Sequence, residues 1–312
     1  MQIQTTGHIA NGLYVTGSAG VPVYLLDGPS PVLFDAGMTV LAQCYVNDIR
    51  AVLGTRSPAY LFLTHAHFDH VGAAGFFKNV WPDMQVVASA PGRDILSRPG
   101  AIALIRTLNA ESVQMAKDEG LTPLNDAPFE SVAIDDVADQ GSCFELGAGT
   151  VIQALHCPGH TRDFMCYWIA SKKILIASEA VGCDDGTGYI QPEFLVDYDC
   201  YMANLTQLAR LDADILCPGH KMVVTGDDAR DHMRRSADYA HRFLAMVETF
   251  LTEADGDIDA ATAKVKASEW DPRPWPKQPE HAYLLNTRQR VLKTWNRMQF
   301  LQENAPGRTR AM

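Results

Sequence analysis

The sequence predicts an α/β fold, a sandwich of two sheets with helices on both outer faces. Three observations carry this. Short apolar runs bounded by glycine and proline precede helical patterns, and that order repeats in two halves of the chain. The runs are continuously apolar rather than alternating, as in strands covered on both faces. Several of them are followed at once by a histidine or an acidic residue, so their ends converge on one edge.

Taken in order, residues 12–16, 23–26 and 32–34 read as three short strands, and Asp35-Ala36-Gly37 closes the third with a tight turn. A helix is expected over residues 40–53, then a strand that runs into His65. Residues 85–88 form a further strand. Between Pro99 and Gly120, Ala101, Leu104, Ile105, Leu108 and Met115 recur at helical spacing and mark a helical insert. The second half brings strands at residues 150–155, 173–177 and 215–217.

A long helix follows over residues 227–253, with Ala240, Phe243, Leu244, Val247 and Leu251 on one face. Another begins at Asp257, with Ile258 and Val265 inward. It stops at the proline-rich stretch 271–276, because proline cannot continue the hydrogen-bond ladder. A last helix is expected over residues 280–302, with Leu284, Val291, Trp295 and Met298 on one face, and the chain from Asn304 reads as a loose tail. The division expected is a domain over 1–226, with its insert at about 99–120, and a helical extension over 227–312 that caps the site.

The chemistry is concentrated in His65-Ala66-His67-Phe68-Asp69-His70, three histidines and an aspartate within six residues. Imidazole and carboxylate are the ligands that borderline divalent metals prefer. Residues two apart on an extended segment project the same way, so His65 and His67 can grip one ion. Asp69 and His70, past the bend into a loop, can grip a second. A lone histidine is more often a hydrogen-bonded structural residue. Here an ordered series of strand-end residues follows: His160, Ser178-Glu179 and His220.

With this series the chain resembles the metallo-β-lactamase superfamily of metal-dependent hydrolases over about its first 225 residues. The resemblance implies the αββα sandwich. It also implies that His65, His67 and His160 hold one metal and that Asp69, His70 and His220 hold the other. The acidic residue that bridges both ions would be Glu179, where family members usually carry aspartate. Its extra methylene leaves three readings: it bridges, it binds one ion only, or Asp184 or Asp185 takes the task. Two divalent ions are implied, zinc first, with iron or manganese as alternatives.

Within the superfamily the likeness is to the quinolone-signal-response thioesterase and glyoxalase II-type branch. It is carried by the insert near residues 105–108, the segment 159–163, the segment 201–205 and the helical C-terminus. The expected activity is therefore hydrolysis of a small acyl thioester or ester. A metal lowers the pKa of bound water from 15.7 to about 7, which supplies hydroxide at neutral pH. Asp69 is the catalytic candidate, orienting the nucleophile or accepting its proton. His156 and His281 are weaker candidates, as an orienting residue and a lid residue. Lactonase and phosphodiesterase are the nearest alternatives. An iron-dependent oxidoreductase and a regulatory protein with a vestigial site are alternatives of another class.

Composition narrows the partners. The formal net charge of −11 and the lack of a clustered basic patch disfavour nucleic acid. The arginines near 230–235 and 288–297 read as a solvated face. No uninterrupted apolar run has the length a bilayer requires, so no membrane partner is expected. The N-terminus lacks a basic region followed by an apolar core, so no signal peptide is expected. Seven scattered cysteines, without a Cys-x-x-Cys pair, point to reduced thiols in a cytoplasmic protein. Cys157, Cys183 and Cys217 lie beside the ligands in sequence and are assigned to strand burial. A small-molecule acyl substrate and a homodimer complete the expectations.

Overall fold

Apolar runs from the two halves of the chain make two seven-stranded sheets among the described residues, which are 1–118, 120, 125, 128–274 and 277–304 of a computed structural model. The first sheet keeps sequence order through Gly7–Ala10, Leu13–Gly17, Pro22–Leu26, Val32–Phe34, Tyr60–Phe62, Gln85–Ala88 and Asp136–Val137. The second runs Gln2–Ile3, Val223–Thr225, Ile215–Cys217, Ile174–Ile176, Met165–Ile169, Val151–His156 and Cys143–Glu145. A two-stranded ribbon, Cys183–Asp184 with Ile190–Gln191, stands apart from both.

The helices are α1 (Ala42–Leu53), α2 (Phe68–Val71), α3 (Ala74–Val80), α4 (Ala90–Leu96), α5 (Pro99–Asp118), α6 (Tyr198–Leu208), α7 (Asp227–Glu253), α8 (Ile258–Glu269) and α9 (Glu280–Glu303). Ser89 caps α4, Asp197 caps α6 and Asp257 caps α8, each side chain accepting from a free N–H of the first turn. A 3-10 turn, Thr39–Leu41, precedes α1, so regular helix begins two residues later than residue 40.

Three apolar layers follow from these faces. Phe34, Phe62, Tyr167, Ile176 and Cys217 fill the space between the sheets. Tyr45, Ile49 and Phe77 cover the outside of the first sheet, and Phe194, Tyr201, Phe243 and Val247 the outside of the second. The arrangement is αββα, with the C-terminal helices α7 to α9 packed beyond the second sheet.

Register sets the site. Val32–Phe34, Tyr60–Phe62 and Gln85–Ala88 are parallel, as are Ile174–Ile176 and Ile215–Cys217. Their C-terminal ends share one edge, as the sequence implied. The two sheets are tied together there: Met165 N donates to Thr64 O at 2.7 Å, Tyr167 Oη to Leu63 O at 2.7 Å and Tyr24 Oη to Pro218 O at 2.6 Å.

Three expectations change. On α5 the buried residues are Ile105, Asn109 and Ala116, while Leu104 and Met115 face solvent. The inward face of α9 is Tyr283, Thr287, Arg290, Val291 and Thr294, most of it polar. Arg290 is fully buried rather than part of a solvated face. Its Nη1 donates to Pro192 O at 2.9 Å, its Nη2 to Thr287 Oγ1 at 2.8 Å, and its guanidinium stacks 4.4 Å from the Phe243 ring centroid. The proline-rich stop falls partly on residues 275–276 and the tail on 305–312, which lie outside the described residues.

Candidate metal centre

The six-residue motif starts extended and then turns. His67 has φ −74° and ψ 150°, and α2 begins at the next residue, so Asp69 and His70 sit on a helical turn rather than in a loop. That turn splits the motif between two sets of ligand atoms. His65, His67 and His160 form one. Asp69, His70 and His220 form another, with all ligand atoms of a set within 4.8 Å of one another.

Glu179 lies between the sets. Its Oε1 is 2.9 Å from Nε2 of His70 and 2.9 Å from Nε2 of His220, and its Oε2 is 3.7 Å from Nε2 of His65. Ser178, at φ 47°, fixes the carboxylate by donating from Oγ to Oε2 at 2.7 Å. Non-glycine residues with positive φ are rare and cluster at functional sites. The longer glutamate thus reaches both sets. Asp184 and Asp185 point elsewhere: Asp184 Oδ1 accepts from Gly186 N at 2.8 Å, and Asp185 pairs with Arg273.

The outward ring nitrogens are each held. Nδ1 of His65 meets Thr64 Oγ1 at 2.9 Å, Nδ1 of His70 meets Asp35 Oδ2 at 2.8 Å, Nδ1 of His160 meets Glu193 O at 2.6 Å, and Nδ1 of His220 meets Gly20 O at 2.9 Å. Such partners fix tautomer and ring orientation. For His160, Nδ1 must donate to the carbonyl, so its Nε2 is a bare acceptor. It stands 3.2 Å from Nδ1 of His67, which also has to be shared with a proton or an ion. Asp163 orders the motif's backbone, with Oδ2 accepting from Ala66 N at 2.8 Å.

Burial and charge divide the histidines. Burial, then the His70 and His67 rings, pulls His65 well below the usual imidazole range. Burial, followed by His67, pushes His160 down to about 3. For His70, burial acts downward, but Glu179, Asp35 and Asp69 outweigh it and its pKa is raised. For His220, burial is likewise outweighed by Glu179. Burial acts to raise Glu179, yet His70 and His65 hold its carboxyl well below the usual range.

Nε2 of His65 and Oε1 of Glu179 are buried without a hydrogen bond, although Oε1 lies close to two rings. Leaving buried polar atoms unmade is costly. A convergent set of such atoms, all imidazole or carboxylate, fits a divalent metal centre.

Two candidates fall outside it. His156 is exposed and its Nε2 meets Arg162 O at 3.0 Å. His281 is exposed on the first turn of α9. One residue set aside from the sequence is brought in: Cys183 shares a potential ligand group with Glu179 and His220. Asn109 was also missed. This α5 side chain accepts from Thr39 N at 3.0 Å and donates to Phe68 O at 3.2 Å, so the insert is fastened to the turn that carries Asp69 and His70. An asparagine at a helix position between apolar neighbours was the only signal.

Comparison with known proteins places this geometry. The model of the Metallo-beta-lactamase superfamily matches residues 17–220. The lactamase-like protein aptB of Emericella nidulans is 26% identical over 238 residues, covering 75% of this chain and 61% of that protein. An atrochrysone carboxyl ACP thioesterase of the same organism is 21% identical over 214 residues, 68% of this chain and 54% of that protein. The chain thus spans less than two thirds of the length of these relatives. Among solved structures, a metallo-beta-lactamase family protein of Thermus thermophilus shares the fold with a TM-score of 0.61 at 19% identity, covering 95% of each chain.

Proposed function

Since the chain belongs to the metallo-β-lactamase superfamily, we propose that it is a metal-dependent hydrolase of a small acyl thioester or ester. The observation that carries this is the convergence of His65 Nε2 and Glu179 Oε1, both buried without a hydrogen bond, with the ring nitrogens of His67, His70, His160 and His220. His65, His67 and His160 would hold one divalent ion, and Asp69, His70 and His220 the other, with Glu179 reaching both. Ions bound there supply an activated water at neutral pH and polarise a carbonyl.

The chain's own residues do the rest. Asp69 is the ligand-set carboxylate open to solvent, its side chain 20% exposed against 4% for Glu179. Its Oδ2, 3.6 Å from His220 Nε2, is the atom placed to orient an attacking water and accept its proton. Asp35 and Thr64 keep His70 and His65 turned inward. The thioester class rests on the relative named as an ACP thioesterase.

Region 227–312 is read as the extension that caps the site. Arg290 and Gln289 of α9 grip Pro192 O and Leu195 O, on either side of the Glu193 carbonyl that holds His160.

The test compares zinc-loaded and chelated protein on acyl-CoA, glutathione thioesters, lactones and aryl phosphodiesters. Metal-dependent turnover of a thioester or ester is expected. A loaded protein inert toward all four classes overturns the proposal, as does bound iron with oxygen consumption.

A further inference from the structure

We infer that Cys183 supplies a sulfur ligand to the ion held beside His220, so that this half of the centre prefers a thiophilic divalent metal such as zinc over a hard one such as manganese. The inference rests on the metal-centre reading above. Its observation is separate: Cys183, Glu179 and His220 place one sulfur, one oxygen and one nitrogen within 4.8 Å of one another. The glutamate in this set is 3% exposed, and its Oε1 has no hydrogen bond.

The local fold explains how the thiol arrives. Glu179 is the second residue of a single 3-10 turn, Ser178–Val181, and Gly182 N closes it by donating to Glu179 O at 3.0 Å. Gly182 then takes φ 70°, and a Cβ there would lie 2.6 Å from Ile190 Cγ2 and 2.9 Å from Gln191 O. Glycine therefore lets the ribbon strand Cys183–Asp184 lie flush on Ile190–Gln191 and return the thiol toward the carboxylate four residues before it.

The other cysteines near the motifs differ. Cys166 and Cys217 are fully buried in the apolar layers, and Cys166 Sγ donates to Ala177 O at 3.6 Å. Cys183 is a free, partly exposed thiol. Thiolate favours zinc and softer ions, whereas carboxylate and water suit manganese. Ligation replaces the S–H bond by a sulfur–metal bond and releases one proton to solvent.

The experiment titrates cobalt(II) into chelated wild-type protein and the Cys183→Ser variant, recording visible and near-ultraviolet absorption. Visible d–d bands in both proteins are expected, with a thiolate-to-cobalt charge-transfer band in the wild type only. The zinc-over-manganese preference should fall at least about tenfold in Cys183→Ser. X-ray absorption of the zinc-loaded wild type should show a sulfur neighbour at about 2.3 Å, a readout that needs no variant to fold. Absence of that neighbour, or a charge-transfer band that survives in Cys183→Ser, overturns the inference while the d–d bands keep the metal centre. Absence of d–d bands from the wild type overturns the metal-centre reading itself.

Discussion

A side chain at position 219 would collide with Glu179. A Cβ built on Gly219 overlaps Oε1 of that carboxylate and stands 2.8 Å from its Cδ and 2.9 Å from Ser178 Oγ. Gly219 is therefore the space into which the longer acidic residue extends. Gly219→Ala should displace Glu179, weakening zinc binding at the His70/His220 set about 10–100-fold with a matching loss of turnover. Adding Glu179→Asp, one methylene shorter, should restore part of both. Equilibrium zinc titration checks this. Unchanged affinity in Gly219→Ala would show that the carboxylate does not need that position.

Asn109 ties the insert to the metal centre. The side chain is 2% exposed, and besides its bonds to Thr39 N and Phe68 O it accepts from Thr39 Oγ1 at 2.9 Å. Asn109→Ala leaves those groups unpaired and should cost about 1–3 kcal/mol in urea unfolding of the chelated protein. It should also weaken metal binding at Asp69 and His70 more than at His65, His67 and His160. A loss of stability with both affinities intact would reduce Asn109 to a packing role.

Arg290 should be among the most sensitive positions of the helical extension. Glu269 Oε2 lies 3.6 Å from its Nη2, and both side chains are buried. Arg290→Leu removes the cation beside Glu269, leaving that carboxylate to the Tyr189 and Tyr283 hydroxyls, and frees Pro192 O, for an expected loss of about 3–5 kcal/mol. Arg290→Lys should recover little, because one ammonium cannot replace the planar fork. Arg290→Leu with Glu269→Gln should recover more. Denaturant midpoints of the variants decide it, and a double variant no more stable than Arg290→Leu would break the pairing.

In the metal-free protein the histidines of the site should move stability in opposite directions with pH. The raised His70 pKa contributes stability that is full below the unfolded value of about 6.5 and is lost as pH rises through the folded value. The lowered Glu179 pKa contributes stability present above about 4.3 and lost as pH falls through its folded value. The lowered His65, His67 and His160 pKa values carry the opposite sign to that of His70. These imidazoles are buried neutral and cost stability progressively as pH falls below about 6.5, so chelated protein should lose stability on acidification below that value. His70→Asn should flatten the alkaline side. Zinc-loaded protein should lose stability more steeply on acidification over about pH 7 to 5, because protons compete for the same nitrogens. Denaturation of chelated protein at stepped pH tests the signs, and stability that rises as pH falls from about 6.5 to 4.5 would contradict them.

The ligands were legible because they are local. His65, His67, Asp69 and His70 fall within one turn of chain, and His160, Glu179 and His220 each follow an apolar strand whose neighbours align its end. The two-sheet sandwich was readable for the same reason, since continuous apolar runs have few other places to go. What escaped depends on contacts between distant segments. Cys183 looks like any strand cysteine until Gly182 and the ribbon turn it back. Leu104 and Met115 fit a helical stripe yet stand exposed. Arg290 is an ordinary surface arginine in sequence and becomes interior only once Glu269, Phe243 and Pro192 surround it.

The central claim is that the two ligand sets work as one hydrolytic centre. Its most direct test adds zinc stepwise to chelated protein while following thioester hydrolysis and bound metal in the same samples. Activity should be absent without metal, rise as ions bind and saturate at two per chain. Hydrolysis unaffected by chelation, or none with both sets filled, would contradict the account.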